Sequence, residues 1–120
     1  MNGFGSNVSV ASFVVTGQLS QSMCATLTDL LIERIGMTVA YPPAVFDYPK
    51  DGKGGVGFTY FQTITESFLV WDVWPKLDGA YLMVCSCKPF DSELVKSVIL
   101  SVGLTVKSAE KHTMEIADHD

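Results

Sequence analysis

Apolar residues along this chain recur with two periods, and their alternation lays out the elements. Val8-Ser9-Val10-Ala11-Ser12-Phe13-Val14-Val15-Thr16-Gly17 is a β-branched run ended by glycine and predicts a strand. Ser20 then offers an N-cap for a helix over about 21–35, with Met23, Leu27, Leu30, Leu31 and Ile35 as its apolar stripe and Gly36 at its C-terminal cap. Met37 to Tyr41 predicts a second strand, stopped by Pro42-Pro43, with Val45 to Tyr48 as a short extension before Pro49. From Phe58 to Thr65 the period is two: Phe58, Tyr60 and Ile64 share one face, Thr59, Thr63 and Thr65 the other. The next strand runs from near Ser67 to Trp74, and Pro75 and Asp78-Gly79 turn the chain into another over Ala80 to Cys87. Asp91 is an N-cap candidate for a helix to about Val102, with Leu94, Val95, Val98, Ile99 and Val102 as its buried stripe and Gly103 closing it. A last strand starts at Leu104, reaches about Ser108 and resumes at His112 to Ile116, leaving Asp118-His119-Asp120 as a tail.

An internal echo orders these elements. Ile35-Gly36-Met37-Thr38-Val39 ends the first helix and Val102-Gly103-Leu104-Thr105-Val106 ends the second. The chain therefore reads β-α-β-β-β-β-α-β, two strand–helix–strand halves around a central hairpin. Short connections imply antiparallel pairing, and one stripe per helix implies both helices on one sheet face. The expected fold is a single α+β domain over 1–120. Its other sheet face carries aromatics and calls for cover, so a homodimer or higher homo-oligomer is expected.

Composition narrows the function classes. The 120 residues are 48% hydrophobic and 18% charged, which excludes a disordered chain. Net charge is -5 and the eight Lys and Arg form no cluster, so neither nucleic acid nor an anionic membrane is an expected partner. No apolar run approaches the roughly 18 residues of a membrane span. The start Met1 to Asn7 lacks the basic residues of a secretory signal. Cys24, Cys85 and Cys87 are an odd count and read as free thiols, so a cytoplasmic location is expected.

Candidate chemistry is sparse. Asp51-Gly52-Lys53-Gly54-Gly55-Val56-Gly57 is glycine-rich, but a strand follows it rather than the helix a phosphate cradle requires, so it reads as a hairpin loop. Cys85-x-Cys87 lacks a second ligand pair for zinc, and no metal is expected. Ser67 has no flanking nucleophile-elbow glycines. What stands out is Glu66-Ser67 followed by Asp72, polar groups set within the apolar run Phe68-Leu69-Val70-Trp71-Asp72-Val73-Trp74. Two readings are open: a solvated sheet face with a serine at a bend, or chemistry at Ser67. Asp72, between Trp71 and Trp74, is either surface-facing or desolvated with a raised proton affinity.

Gly57-Phe58-Thr59, Glu66-Ser67, Trp74-Pro75 and Ser86-Cys87 match, in order and spacing, the motifs of the bacterial type of S-adenosylmethionine decarboxylase, which the chain resembles over most of its length. The resemblance implies an α/β sandwich of that family's type, with an antiparallel sheet and two helices on one face. It also implies a cofactor made from the chain itself. Ser67 attacks the preceding carbonyl, the chain is cut between Glu66 and Ser67, and Ser67 becomes a pyruvoyl group. That group would serve as electron sink in decarboxylating S-adenosylmethionine or a similar amino acid, a step of polyamine biosynthesis. On the same basis Cys87 is the proton donor to the substrate carbon, Thr59 assists self-cleavage, and Glu66 and Phe68 lie beside the substrate. The chain departs from the family pattern in having no histidine near its N-terminus, His112 being its first, and chiefly at four further positions. Phe68 stands for the histidine after the nucleophile and Asp72 for a second histidine that handles protons during processing. Lys76 stands for the glutamate after Trp-Pro and Lys88 for the glycine after cysteine. The alternative is an uncleaved, inactive relative that binds a small molecule or a partner subunit.

Overall fold

The computed structural model describes residues 7–48, 56–74, 76 and 78–116. Its element order is β1 (Asn7–Thr16), α1 (Gln21–Arg34), β2 (Ala44–Asp47), β3 (Phe58–Ile64), β4 (Ser67–Trp74), β5 (Gly79–Ser86), α2 (Ser92–Ser101) and β6 (Thr105–Glu115). The strands form one six-stranded sheet in the order β2-β3-β4-β5-β1-β6, antiparallel at every contact. β5 and β6 therefore run the same way with β1 between them, and α2 crosses over β1. β1 and β2 also run the same way, and α1 crosses over the three strands between them.

Strand alternation decides the core. Ala11, Phe13 and Val15 of β1, Phe58, Tyr60 and Ile64 of β3, Leu69, Trp71 and Val73 of β4, and Ala80, Leu82 and Val84 of β5 are all buried. They face Leu27, Leu31 and Ile32 of α1 and Val95, Val98 and Ile99 of α2 in one cluster. Each Val, Leu, Ile or Phe among them contributes about 1.5–3 kcal/mol on burial. Trp71 is fully buried, and its indole Nε1 donates to Thr28 Oγ1 of α1 at 3.0 Å, so its one polar atom is satisfied inside the core. The other sheet face, without helices, is half-exposed and carries Phe61, Phe68, Trp74 and Tyr81.

Caps set the helix limits. The Ser20 side chain accepts from Met23 N, and the Asp91 side chain accepts from Glu93 N. α1 ends in a Schellman arrangement: Gly36 N donates to Glu33 O and Met37 N to Ile32 O, with Gly36 at φ +73°. The repeated Ile-Gly-Met and Val-Gly-Leu signals do the same work at both helix ends, since Gly103 also has a positive φ and both Met37 and Leu104 are buried.

Several boundaries differ from expectation. Met37 to Tyr41 is not a strand; it forms a single bridge, Val39 to Ile64, and the ladder strand is the segment after the prolines, Ala44–Asp47. Gly36 turns the chain out of α1, the backbone touches the β3 edge only around that bridge, and continuous pairing begins past Pro42-Pro43. β6 is continuous rather than broken, with a bulge at Lys107 opposite Val14 and Val15. Leu94 and Val102 of the expected α2 stripe are exposed, and on α1 Cys24 and Thr28 are buried while Met23 and Leu30 are only partly so. Most of the glycine-rich loop, Pro75 and the tail lie outside the described residues.

Candidate functional site

The Glu66–Ser67 peptide sits at the tip of the β3–β4 hairpin. Ile64 pairs with Ser67, which leaves Thr65 and Glu66 as the turn. Three chain segments meet there. Thr65 N donates to Thr38 O at 2.8 Å, and Thr38 N donates to Glu66 Oε1 at 3.1 Å. The Glu66 side chain is thus buried with a backbone partner. From the other side, Cys87 N donates to the Glu66 carbonyl oxygen at 3.0 Å. An amide is aimed at the carbonyl that an attack by Ser67 would convert to an oxyanion.

Ser86 holds that amide in place. It pairs across the ladder with Ser67 and is fully buried. Its hydroxyl accepts from Lys88 N at 2.9 Å and donates to Lys88 O at 2.8 Å, so the chain bends immediately after β5. The strand therefore stops at Ser86 instead of continuing to Cys87, and Cys87 lies in the bend. All three cysteines are free. Burial pushes the Cys24 thiol up to about 12, which leaves it a neutral core group.

Thr59 and Asp72 form a second cluster, on the helix-free face. They are ladder partners, and Thr59 Oγ1 donates to Asp72 Oδ1 at 3.1 Å. The Tyr48 and Thr59 hydroxyls lie 2.6 Å apart, and the Tyr48 ring stacks on Trp74 with centroids at 5.5 Å. Tyr81 is the partner of Asp72 on β5, and the nearby Asp72 carboxylate, followed by partial burial, pushes the Tyr81 phenol above its ordinary value. Asp72 does not lie between the two tryptophans, because Trp71 points into the core and Asp72 shares the opposite face with Trp74.

The expected residues thus fall into two groups. Glu66, Ser67 and Cys87 are brought together. Thr59 and Asp72 stand five residues along their strands from the Ile64–Ser67 pair, roughly 17 Å at about 3.4 Å per residue. The parity of β4 also puts Ser67 with Leu69 and Trp71, on the face opposite Asp72. Phe68 lies on the helix-free face and stacks on Phe61 at 5.5 Å. Next to it the Thr63 hydroxyl is buried with no hydrogen-bond partner. Sequence reasoning missed Thr38, Tyr48 and Tyr81, and took Ser86 only as part of the Ser86-Cys87 motif with no role of its own. Their roles depend on register and on a crossing segment, which no local motif announces.

Among the described residues, no group of three His, Cys, Asp or Glu side chains is placed to hold a metal, and no helix is long and apolar enough to cross a membrane. No family model matches the chain, and no curated protein sequence matches it. Among solved structures it is similar to the crystal structure of the adenosylmethionine decarboxylase from Aquifex aeolicus VF5. The TM-score is 0.66 at 13% identity, over 95% of this chain and 92% of that one. The likeness establishes a shared fold, an antiparallel sheet with two helices in the manner of that decarboxylase.

Proposed function

We propose that this chain is an S-adenosylmethionine decarboxylase-related protein that cuts itself between Glu66 and Ser67 and acts on S-adenosylmethionine or a similar small amino acid. The observation that carries this reading is the Cys87 N–H held 3.0 Å from the Glu66 carbonyl oxygen at the tip of the hairpin. Attack of Ser67 Oγ on the Glu66 carbonyl carbon forms a five-membered ring, and the negative charge falls on the oxygen that this amide faces. Collapse of the ring breaks the C–N bond and leaves an ester between the Glu66 carbonyl and Ser67 Oγ. Loss of the Ser67 Cα proton to a base then expels the Glu66 carboxylate, and hydrolysis of the resulting enamine releases ammonia and leaves a ketone on residue 67.

The residues at the tip fit such a group. Ser67 is half-buried at the start of β4, where the fully buried Ser86 pairs with it and Cys87 follows at the bend. A pyruvoyl group there supplies an electron sink for a departing carboxylate. Cys87, at the bend that follows Ser86, is the group set to return a proton to the substrate carbon.

A second reading is favoured by a separate observation. Asp72 is engaged by Thr59 and Tyr81 and is remote from Ser67 within the chain, so no imidazole or free carboxylate from that position serves the elimination. On this reading the protein is an uncleaved relative that binds a small molecule or a partner subunit.

Hydroxylamine separates the two, because it attacks an ester and leaves an amide intact. The self-cleaving reading predicts hydroxylamine-promoted scission at Glu66 with a free serine at the new N-terminus, absent in Ser67→Ala. A wild-type chain that hydroxylamine leaves whole contradicts it.

A further inference from the structure

The bend that presents the Cys87 amide is anchored from a distance. Lys88 Nζ donates to the Gly36 carbonyl oxygen at 2.8 Å, joining the loop after β5 to the C-terminal cap of α1, 52 residues earlier. Gly36 is the positive-φ residue of the Schellman turn, and its carbonyl lies at the negative end of the helix, where a cation is favoured. The same segment continues as Met37-Thr38, and Thr38 holds both Thr65 N and the Glu66 carboxylate. The Glu66 carbonyl in turn accepts from Cys87 N. The bonds close a ring: Gly36–Thr38 to Thr65–Glu66, Glu66 to Cys87, and Lys88 back to Gly36. The Glu66–Ser67 peptide lies on that ring.

We infer that Lys88 is a positioning residue for self-cleavage: its tie to Gly36 holds the Cys87 amide on the Glu66 carbonyl oxygen. Ser86 sets the local shape of the bend, while Lys88 fixes where the bend sits relative to the hairpin tip. Thr38 cannot do this alone, since its bonds reach Thr65 and the Glu66 side chain only. The inference rests on the self-cleaving reading for its consequence in rate, but the clamp itself has a readout that does not need cleavage.

The test compares Lys88→Met and Lys88→Arg in two backgrounds. In an intact Ser67→Ala chain, amide hydrogen exchange of Cys87 is measured beside that of Leu69 and Trp71, which report the sheet. Lys88→Met is expected to speed Cys87 exchange about tenfold with the β4 amides unchanged within about twofold, and Lys88→Arg to restore most of the protection. In the Ser67 chain, the same Met variant is expected to slow appearance of the 67–120 fragment about tenfold, with rescue by Arg. Unchanged Cys87 exchange overturns the clamp. Cleavage at an unchanged rate in Lys88→Met overturns its role in positioning while leaving self-cleavage standing. A chain that never cleaves, yet loses Cys87 protection without Lys88, supports the clamp and overturns the functional reading.

Discussion

At the residue scale the hairpin tip separates backbone from side-chain contributions. The donor to the Glu66 carbonyl is the amide of Cys87, and an amide survives mutation of its side chain. Cys87→Ala is therefore expected to cleave as wild type does and to lose most turnover, because only the thiol is missing when a proton must return to the substrate carbon. Cleavage and turnover are read from chain length and carbon dioxide release; equal loss of both would make the thiol structural. Cys24 makes a separate prediction about pH. Its thiol is pushed from 9.0 to about 12 by burial, so the folded state keeps a proton that the unfolded state releases. That stabilisation is whole below pH 9 and is lost as pH rises toward 12, at a limiting slope of about 1.4 kcal/mol per pH unit. Tyr81, also raised, adds loss above 10 in the same direction. Cys24→Ala should flatten the first part of this alkaline decline in denaturant titrations between pH 8 and 11.

At the element scale the sheet and helices were legible in the sequence where one face is buried and one is not. The period of two in β3 put Phe58, Tyr60 and Ile64 in the core as expected, and Ser20 and Asp91 cap the two helices. Legibility failed where a residue's partner is remote. Thr28 reads as a polar interruption on α1, yet it is fully buried because Trp71 Nε1 needs an acceptor. Thr28→Val, which keeps the shape and removes the oxygen, is expected to cost about 1–3 kcal/mol in denaturant unfolding, the penalty of an unpaired buried donor. Gly57 makes the parallel case for space: a Cβ there would meet Val73 O at 2.6 Å and Trp74 Cε3 at 2.9 Å. Gly57→Ala should destabilise the chain by about 1–3 kcal/mol through overpacking and disturb the Tyr48–Trp74 stack, visible as changed tryptophan fluorescence. The same reasoning explains Asp72. Its place in the chain suggested a carboxylate between two indoles, but alternation sends Trp71 and Asp72 to opposite faces, and the ladder gives it Thr59 and Tyr81 instead.

At the scale of the whole molecule, two helices cover one face of a six-stranded sheet and leave Phe61, Phe68, Trp74 and Tyr81 on the other. A homodimer through that face is the assembly we propose; sedimentation should give twice the chain mass, and Phe61→Lys should lower it toward one chain. The fold follows from patterns that repeat along the chain, and it is shared with a decarboxylase structure. The candidate site was less legible, because three separated segments build it: 36–38, 65–67 and 86–88. What unites them is a single prediction about one peptide bond. The intact mass of purified wild-type protein, measured under denaturing conditions after prolonged incubation, tests it most directly. The account predicts two species, 1–66 and a 67–120 fragment whose N-terminus is blocked, and a single full-length chain for Ser67→Ala. One undivided wild-type chain of 120 residues would contradict it.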